Sequence, residues 1–246
     1  MRIGTNVYGL AALALGLIGL VWGDFALVWQ PVPANIPDRT ALAYVVAAIL
    51  VVAGMAVNQR QLAAYGAATL TILYGLGVIL LHVPLVARHP LDLSAWGGVA
   101  EQLALVAGGL VAYAASAGLD AAQAARLSRT GRLVFGLCLL MFGAEHFRYL
   151  AETAAMVPKY LPPDQRFWAA ATGVAHVAAG LAILTGFLAR MAAWLVTLMF
   201  VGFAVLVHAP LLQADSASHL NWVLNAINLA LTGAAWVVAD SLGERR

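Results

Sequence analysis

The sequence predicts an all-α, polytopic membrane protein with eight transmembrane helices, built as two parallel-repeat four-helix bundles. Three observations point there: an apolar composition, a regular succession of membrane-length runs, and a match between the two halves of the chain. Of 246 residues, 63% are hydrophobic and only 10% are charged. A soluble chain averages about 45–50% apolar and about 25% charged residues, so this one could not cover a water-facing surface. The same figures exclude intrinsic disorder, which needs low hydrophobicity and high net charge.

The elements follow from length. A helix rises about 1.5 Å per residue, so roughly 20 apolar residues cross a bilayer core. That ruler gives spans at 7–29, 40–58, 62–84, 95–117, 131–151, 167–188, 191–212 and 220–240. Arg2 before the run Val7–Gly23 resembles a secretory leader, but apolar character resumes at Phe25–Trp29 and no small-residue cleavage site follows. The run is therefore expected to be retained as the first helix. Pro31, Pro33 and Pro37-Asp38-Arg39 close it. Asn58-Gln59-Arg60 separates the second span from the third, which Pro84 and Arg88-His89-Pro90 end. Pro158 and Pro162-Pro163-Asp164 divide the fifth from the sixth. The fifth has a clean apolar run only over Leu133–Ala144, so Glu145-His146-Phe147-Arg148 must lie within the membrane or at its mouth.

Basic residues orient the spans. With eight crossings, Arg2, Arg60, Arg126, Arg129, Arg132, Arg190, Arg245 and Arg246 share one side, against Arg39, Arg88, Arg148, Lys159 and Arg166 on the other. The excess places both termini in the cytoplasm. The net charge of +2 and the lack of a basic cluster give no nucleic-acid signal. One cysteine, Cys138, allows neither an intramolecular disulfide nor a redox dithiol.

A shift of 126 residues superimposes the halves without a gap over some seventy positions. Pro37-Asp38 falls on Pro163-Asp164, Leu62-Ala63 on Leu188-Ala189, His82-x-Pro84-Leu85 on His208-x-Pro210-Leu211, and Trp96 on Trp222. The first spans match at a shift of 120, Gly16-Leu17 on Gly136-Leu137 and Gly23 on Gly143. Rare residues agreeing in register predict a tandem duplication: a first bundle over 1–118, a cytoplasmic linker over 119–131 and a second bundle over 132–246. An even number of spans gives both copies the same orientation.

The second half reads Gly143-Ala-Glu-His-Phe147, Met156-Val-Pro-Lys-Tyr-Leu161, Gly173-Val-Ala-His-Val-Ala-Ala-Gly180 and Val207-His-Ala-Pro210, then Trp222 and Leu229-Ala-Leu-Thr-Gly233. Over about 130–240 it resembles the DoxX family of four-helix bacterial membrane proteins, whose relative DoxD is a subunit of quinone-linked sulfur oxidation. The first half resembles the family less, through His82-x-Pro84 and Leu103–Gly109, and has Asp24-Phe25 where the second half has Glu-His-Phe. The resemblance implies a four-helix bundle per copy, a bacterial inner membrane location and association with respiratory or redox protein partners.

Ionisable groups inside a bilayer are costly and invite a functional reading. All six histidines fall on the outer half or at mid-membrane in the expected topology. The candidate polar pocket comprises Glu145, His146, Arg148, His176, His208, Asn225 and Asn228, with His82, Trp96, Glu101 and Trp222 as repeat equivalents or neighbours. Neutral imidazoles can exchange protons with a quinol or ligate haem, and Glu145 and Arg148 at i,i+3 can pair on one helix face. Quinone is the cofactor favoured. Haem is less favoured, because His146 and His208 alone are expected at one depth with His176 deeper. No metal site is expected. Each group also has a plain structural reading. His82 and His208 precede helix-ending prolines near the headgroups. Asn221, Asn225, Asn228 and Thr232 suit interhelical hydrogen bonding. Trp29, Trp96, Trp168 and Trp222 suit an aromatic belt. Three functions compete: an accessory subunit or scaffold of a quinone-linked redox system, a small-solute carrier or channel, and a non-catalytic anchor for partner proteins. With so few reactive groups, an accessory subunit is expected over an autonomous enzyme.

Overall fold

Each of the eight expected spans is a helix. In the computed structural model, which describes residues 3–243, they are α1 (Ile3–Trp22), α2 (Arg39–Val57), α3 (Ala63–Arg88), α4 (Leu93–Ser116), α5 (Ala121–Arg148), α6 (Gln165–Thr185), α7 (Ala189–Ala214) and α8 (His219–Ser241). Arg2, Arg245 and Arg246 of the charge count lie outside the described residues. A further short helix, Leu150–Met156, follows α5. The outward side chains of the spans are apolar, Val45, Val52, Ile72, Ile79, Leu195 and Leu198 among them. This is what a lipid-facing surface requires.

Two expectations on boundaries change. The first helix stops at Trp22 instead of running to 29, because Gly23 takes a positive φ of 61° and breaks it. Beyond it, Phe25–Trp29 turns back into the protein. The segment Leu27–Trp29 is a single 3₁₀ turn, and Phe25 and Trp29 are buried. Arg39 pins this re-entrant segment. Its guanidinium pairs with Asp24, bonds the Val32 carbonyl and lies 5.1 Å from the Phe25 ring centroid. The expected linker at 119–131 is mostly helix, since α5 begins at Ala121 and runs 28 residues. Asp120 caps it by accepting the Gln123 amide at 2.9 Å, and no proline interrupts the alanine-rich turns that follow. A helix of that length is about 42 Å long at 1.5 Å per residue and outreaches a hydrocarbon core.

Three helix starts at the end remote from the termini share a device. Asp92, Asp164 and Ser218 cap α4, α6 and α8 by accepting amides two or three residues on. One turn into each helix a tryptophan reaches back. Trp96, Trp168 and Trp222 donate their indole N–H to the carbonyls of Pro90, Pro162 and Ser216 at 3.1, 2.9 and 2.9 Å. The belt tryptophans thus also fasten the loops. Asp92 further accepts from the Ser94 hydroxyl and the Tyr149 hydroxyl. The Ser94 hydroxyl and amide, with Tyr149 and nearby His89, hold its carboxyl below the usual carboxylate value. With the folded value lowered, the cap stabilises above the ordinary carboxylate range and is lost as the pH falls through the lowered value.

The packing repeats between halves. α1 lies on α2 as α5 lies on α6, α2 on α3 as α6 on α7, and α3 on α4 as α7 on α8. Glycines allow the closest approaches. A Cβ at Gly54 would come within 2.6 Å of the Gly9 carbonyl, and one at Gly180 within 2.8 Å of the Gly136 carbonyl. The halves interlock, because α4 also packs on α5 and α8 on α1. At the centre α4 meets α8, where Gly108 faces Ala234, its own counterpart 126 residues on. The π-helical turns Val78–His82 and Ala204–His208 recur at the same shift, each two residues before a proline whose missing N–H frees a carbonyl upstream.

Candidate functional site

A cavity of about 440 Å³ lies between α4, α5, α6, α7 and α8 and collects most of the ionisable groups of the membrane interior. Glu101 of α4, Glu145 and His146 of α5, His176 of α6, His208 of α7 and Asn228 of α8 line it. Its remaining wall is mainly aromatic and aliphatic, with Phe142, Phe200, Phe203 and Trp168 prominent. The lining stops at His176, Phe200 and Leu231, close to the midpoints of α6, α7 and α8. The cavity therefore reaches from one face of the helix bundle to about the middle of the membrane.

Two imidazoles sit at its base. His146 donates from Nδ1 to the Phe142 carbonyl at 2.8 Å, and His176 from Nδ1 to the Thr172 carbonyl at 2.9 Å. A carbonyl can only accept, so each neutral ring carries its proton on Nδ1 and keeps an Nε2 lone pair. The ring centroids are 4.7 Å apart with planes tilted by 50°, so the two imidazoles adjoin. His176 is fully buried among Phe142, Phe200 and Phe203, with ring centroids at 5.8, 5.7 and 6.2 Å. Adjacent imidazoles in this arrangement cannot take opposite faces of one porphyrin. Among the described residues no group of three or more His, Cys, Asp or Glu side chains is arranged to hold a metal ion.

Two carboxyls come from different halves. The Glu145 carboxyl lies directly over the Gly97 Cα, where a Cβ would collide with it. Glu101 is one helical turn beyond Gly97 on α4. The Trp29 indole N–H comes close to the Glu101 carboxyl but reaches no hydrogen-bond geometry, so its Nε1 is buried without a partner. Glu145 makes no pair with Arg148, whose guanidinium instead lies 5.3 Å from the Tyr149 ring centroid, outside the cavity lining.

The remaining candidates are structural. Asn225 donates to the His208 and Asn221 carbonyls, both at 2.9 Å, and so ties α8 to α7. Asn228 donates to the Phe200 carbonyl at 3.0 Å, tying α8 to α7, while still lining the cavity. His82 is buried away from the cavity, and Trp96 and Trp222 hold loops. The sequence reading overlooked Trp29 as a wall residue. It treated Trp29 as an interfacial tryptophan at the end of a longer first helix, and only Gly23 hinted at the turn.

Fold and cavity together define a class: a polytopic helical membrane protein with a one-sided intramembrane pocket that combines carboxyls, imidazoles and an apolar wall. Residues 127–209 match the DoxX family. That segment, less than half of the chain, is similar to DoxX and holds Glu145, His146, His176 and His208, while Trp29, Glu101 and Asn228 lie outside it. No curated protein and no solved structure matches the chain.

Proposed function

We propose that this protein is a membrane subunit of a quinone-linked redox system, binding a quinone ring in the cavity and exchanging protons with it. The observation that carries the reading is the pair His146 and His176, each with an Nε2 lone pair left over, beside Glu101 and Glu145 in an otherwise apolar chamber. Ligand sites of this kind are mostly apolar with a few converging polar groups, and about 300–1,000 Å³ in volume. A quinone supplies two-electron, two-proton chemistry in a lipid-soluble carrier. Imidazole Nε2 atoms accept hydrogen bonds from quinol hydroxyls, and the carboxyls offer the next sites for those protons. With one cysteine the chain has no dithiol of its own, so the electrons pass to or from a partner redox protein. That makes it an accessory subunit and not an autonomous enzyme.

A carrier reading suits this cavity poorly, since its polar lining ends at mid-membrane. A pure anchor has no use for buried imidazoles in a chamber. We further read the two halves as duplicated units, the second of which kept the chamber. The test is a lipid extract and visible spectrum of protein purified in mild detergent. Quinone at near-stoichiometric amount supports the proposal; extract without quinone, and no uptake of added ubiquinone, rejects it.

The location proposed is the bacterial inner membrane, termini in the cytoplasm and cavity opening outward. In a Cys138→Ala background, Ser216→Cys is expected to react with a membrane-impermeant maleimide in intact cells and Ser128→Cys is not. The opposite pattern reverses the side of the cavity.

A further inference from the structure

His82 and His208 occupy the same place in the two halves. Each ends a π-helical turn and each precedes a proline by two residues. Their partners differ. His82 Nε2 lies 3.2 Å from the Trp29 carbonyl, and Gln102 donates to that same oxygen at 2.8 Å. The re-entrant segment Phe25–Trp29 therefore delivers one carbonyl oxygen to a histidine of α3 and an amide of α4.

The positions equivalent to His82 and Gln102 are His208 and Asn228, again 126 residues on. Here the chain after α5 continues into the Leu150–Met156 helix and brings no carbonyl between them. His208 is only 9% exposed, its Nδ1 is buried without a partner and its ring makes no side-chain hydrogen bond. Both His208 and Asn228 line the cavity, Asn228 with one amide hydrogen held by the Phe200 carbonyl and the other left to donate. An unpartnered, buried polar group at a ligand-sized chamber calls for a partner from the ligand.

We propose that His208 and Asn228 hold an oxygen of the bound ligand where, in the other half, the Trp29 carbonyl sits against His82 and Gln102. The Trp29 carbonyl is thus an internal stand-in, and the ligand chemistry it specifies is a carbonyl oxygen on a compact apolar frame. His208 differs from His146 and His176 in one respect: no backbone carbonyl fixes its tautomer. It can donate to a quinone carbonyl or accept from a quinol hydroxyl, whereas the other two offer only lone pairs. The identity of the ligand as a quinone rests on the functional reading above; the oxygen site rests on the correspondence between halves.

The test uses the full chain in phospholipid nanodiscs, titrated with decylubiquinone and followed by tryptophan quenching and by the infrared carbonyl band of the bound quinone. The native protein is expected to show a carbonyl band shifted down by hydrogen bonding. His208→Leu, which keeps an apolar side chain of similar bulk, is expected to weaken binding about tenfold and return the band toward that of the free quinone. His208→Gln keeps a donor in reach and is expected to hold affinity within about threefold of native, which also guards against a folding artefact. Native affinity and an unshifted difference between native and His208→Leu spectra would overturn the oxygen site and leave the quinone reading intact. A native protein that takes up no quinone overturns both.

Discussion

Replacing His146 and His176 together with alanine is expected to lower affinity for the reduced quinol, whose hydroxyls the two Nε2 lone pairs accept, by about five- to thirtyfold, the loss that follows from removing one or two hydrogen bonds of roughly 1 kcal/mol each. Both Nε2 atoms go at once, while both Nδ1 bonds that vanish are to carbonyls already inside helices. The two positions differ in structural cost. His176 is packed among three phenylalanine rings, and truncation there leaves a hole worth about 2–5 kcal/mol of stability by analogy with other large-to-small changes. His176→Phe keeps the ring volume without the nitrogen. Combined with His146→Ala, it is expected to lose quinol affinity as the double alanine variant does, at a melting temperature much nearer to native. Titration with decylubiquinol under anaerobic, reducing conditions and thermal unfolding in one detergent measure both. If the phenylalanine variant keeps native quinol affinity, the imidazole nitrogens are not what binds it.

The second large effect is structural. Gly233→Val is expected to destabilise the protein by roughly 3 kcal/mol or more, at or beyond the upper range for overpacking a tight interior. A Cβ at 233 would fall 2.5 Å from the Tyr8 amide nitrogen and 2.6 Å from its Cα. These are backbone atoms, so no rotamer change relieves the collision and α1 must move off α8. That contact joins the first and last helices of the chain. Tyr8 also donates its hydroxyl to the Leu105 carbonyl at 2.8 Å, so displacing α1 strains its seat on α4 as well. Gly75→Ala is the matched control, because a Cβ there meets nothing within 4 Å. It is expected to be neutral or stabilising by up to about 1 kcal/mol, as for an unencumbered helical glycine. Melting temperatures of the two variants decide the point, and a Gly233→Val protein as stable as native would contradict the close approach of α1 and α8.

Much of the fold was legible beforehand because the bilayer admits few solutions. Every backbone polar group in lipid must be paired internally, so membrane-length apolar runs become helices. The recurrence of His82-x-Pro84 as His208-x-Pro210 was equally readable, since both residue types are scarce in such a chain, and it led to two π-turns at matching places. Of the candidate pocket, Glu145, His146, His176, His208 and Asn228 do line one cavity. Arg148 and Asn225 do not, one lying on Tyr149 and the other bonded to backbone. Phe25–Trp29 was misread as helix because its apolar character is that of a spanning segment. Direction of travel is set by one backbone torsion at Gly23, which composition does not express.

The sequence by itself determined that the protein lives in lipid, how many membrane-length helices it has, most of the breaks between them and which ionisable groups lie at membrane depth. These are properties of single segments in a uniform solvent, and hydropathy with proline, glycine and capping residues is enough to set them. Tertiary structure alone decided that the Glu145 carboxyl would lie against Gly97 in one cavity with Glu101, and that the His146 and His176 rings would adjoin. It also decided that the Trp29 carbonyl would close one half and leave a chamber in the other. Those outcomes depend on which helix faces pack together. In so apolar a chain nearly every face is equally apolar, so the choice falls to close contacts at small residues and to a few buried hydrogen bonds.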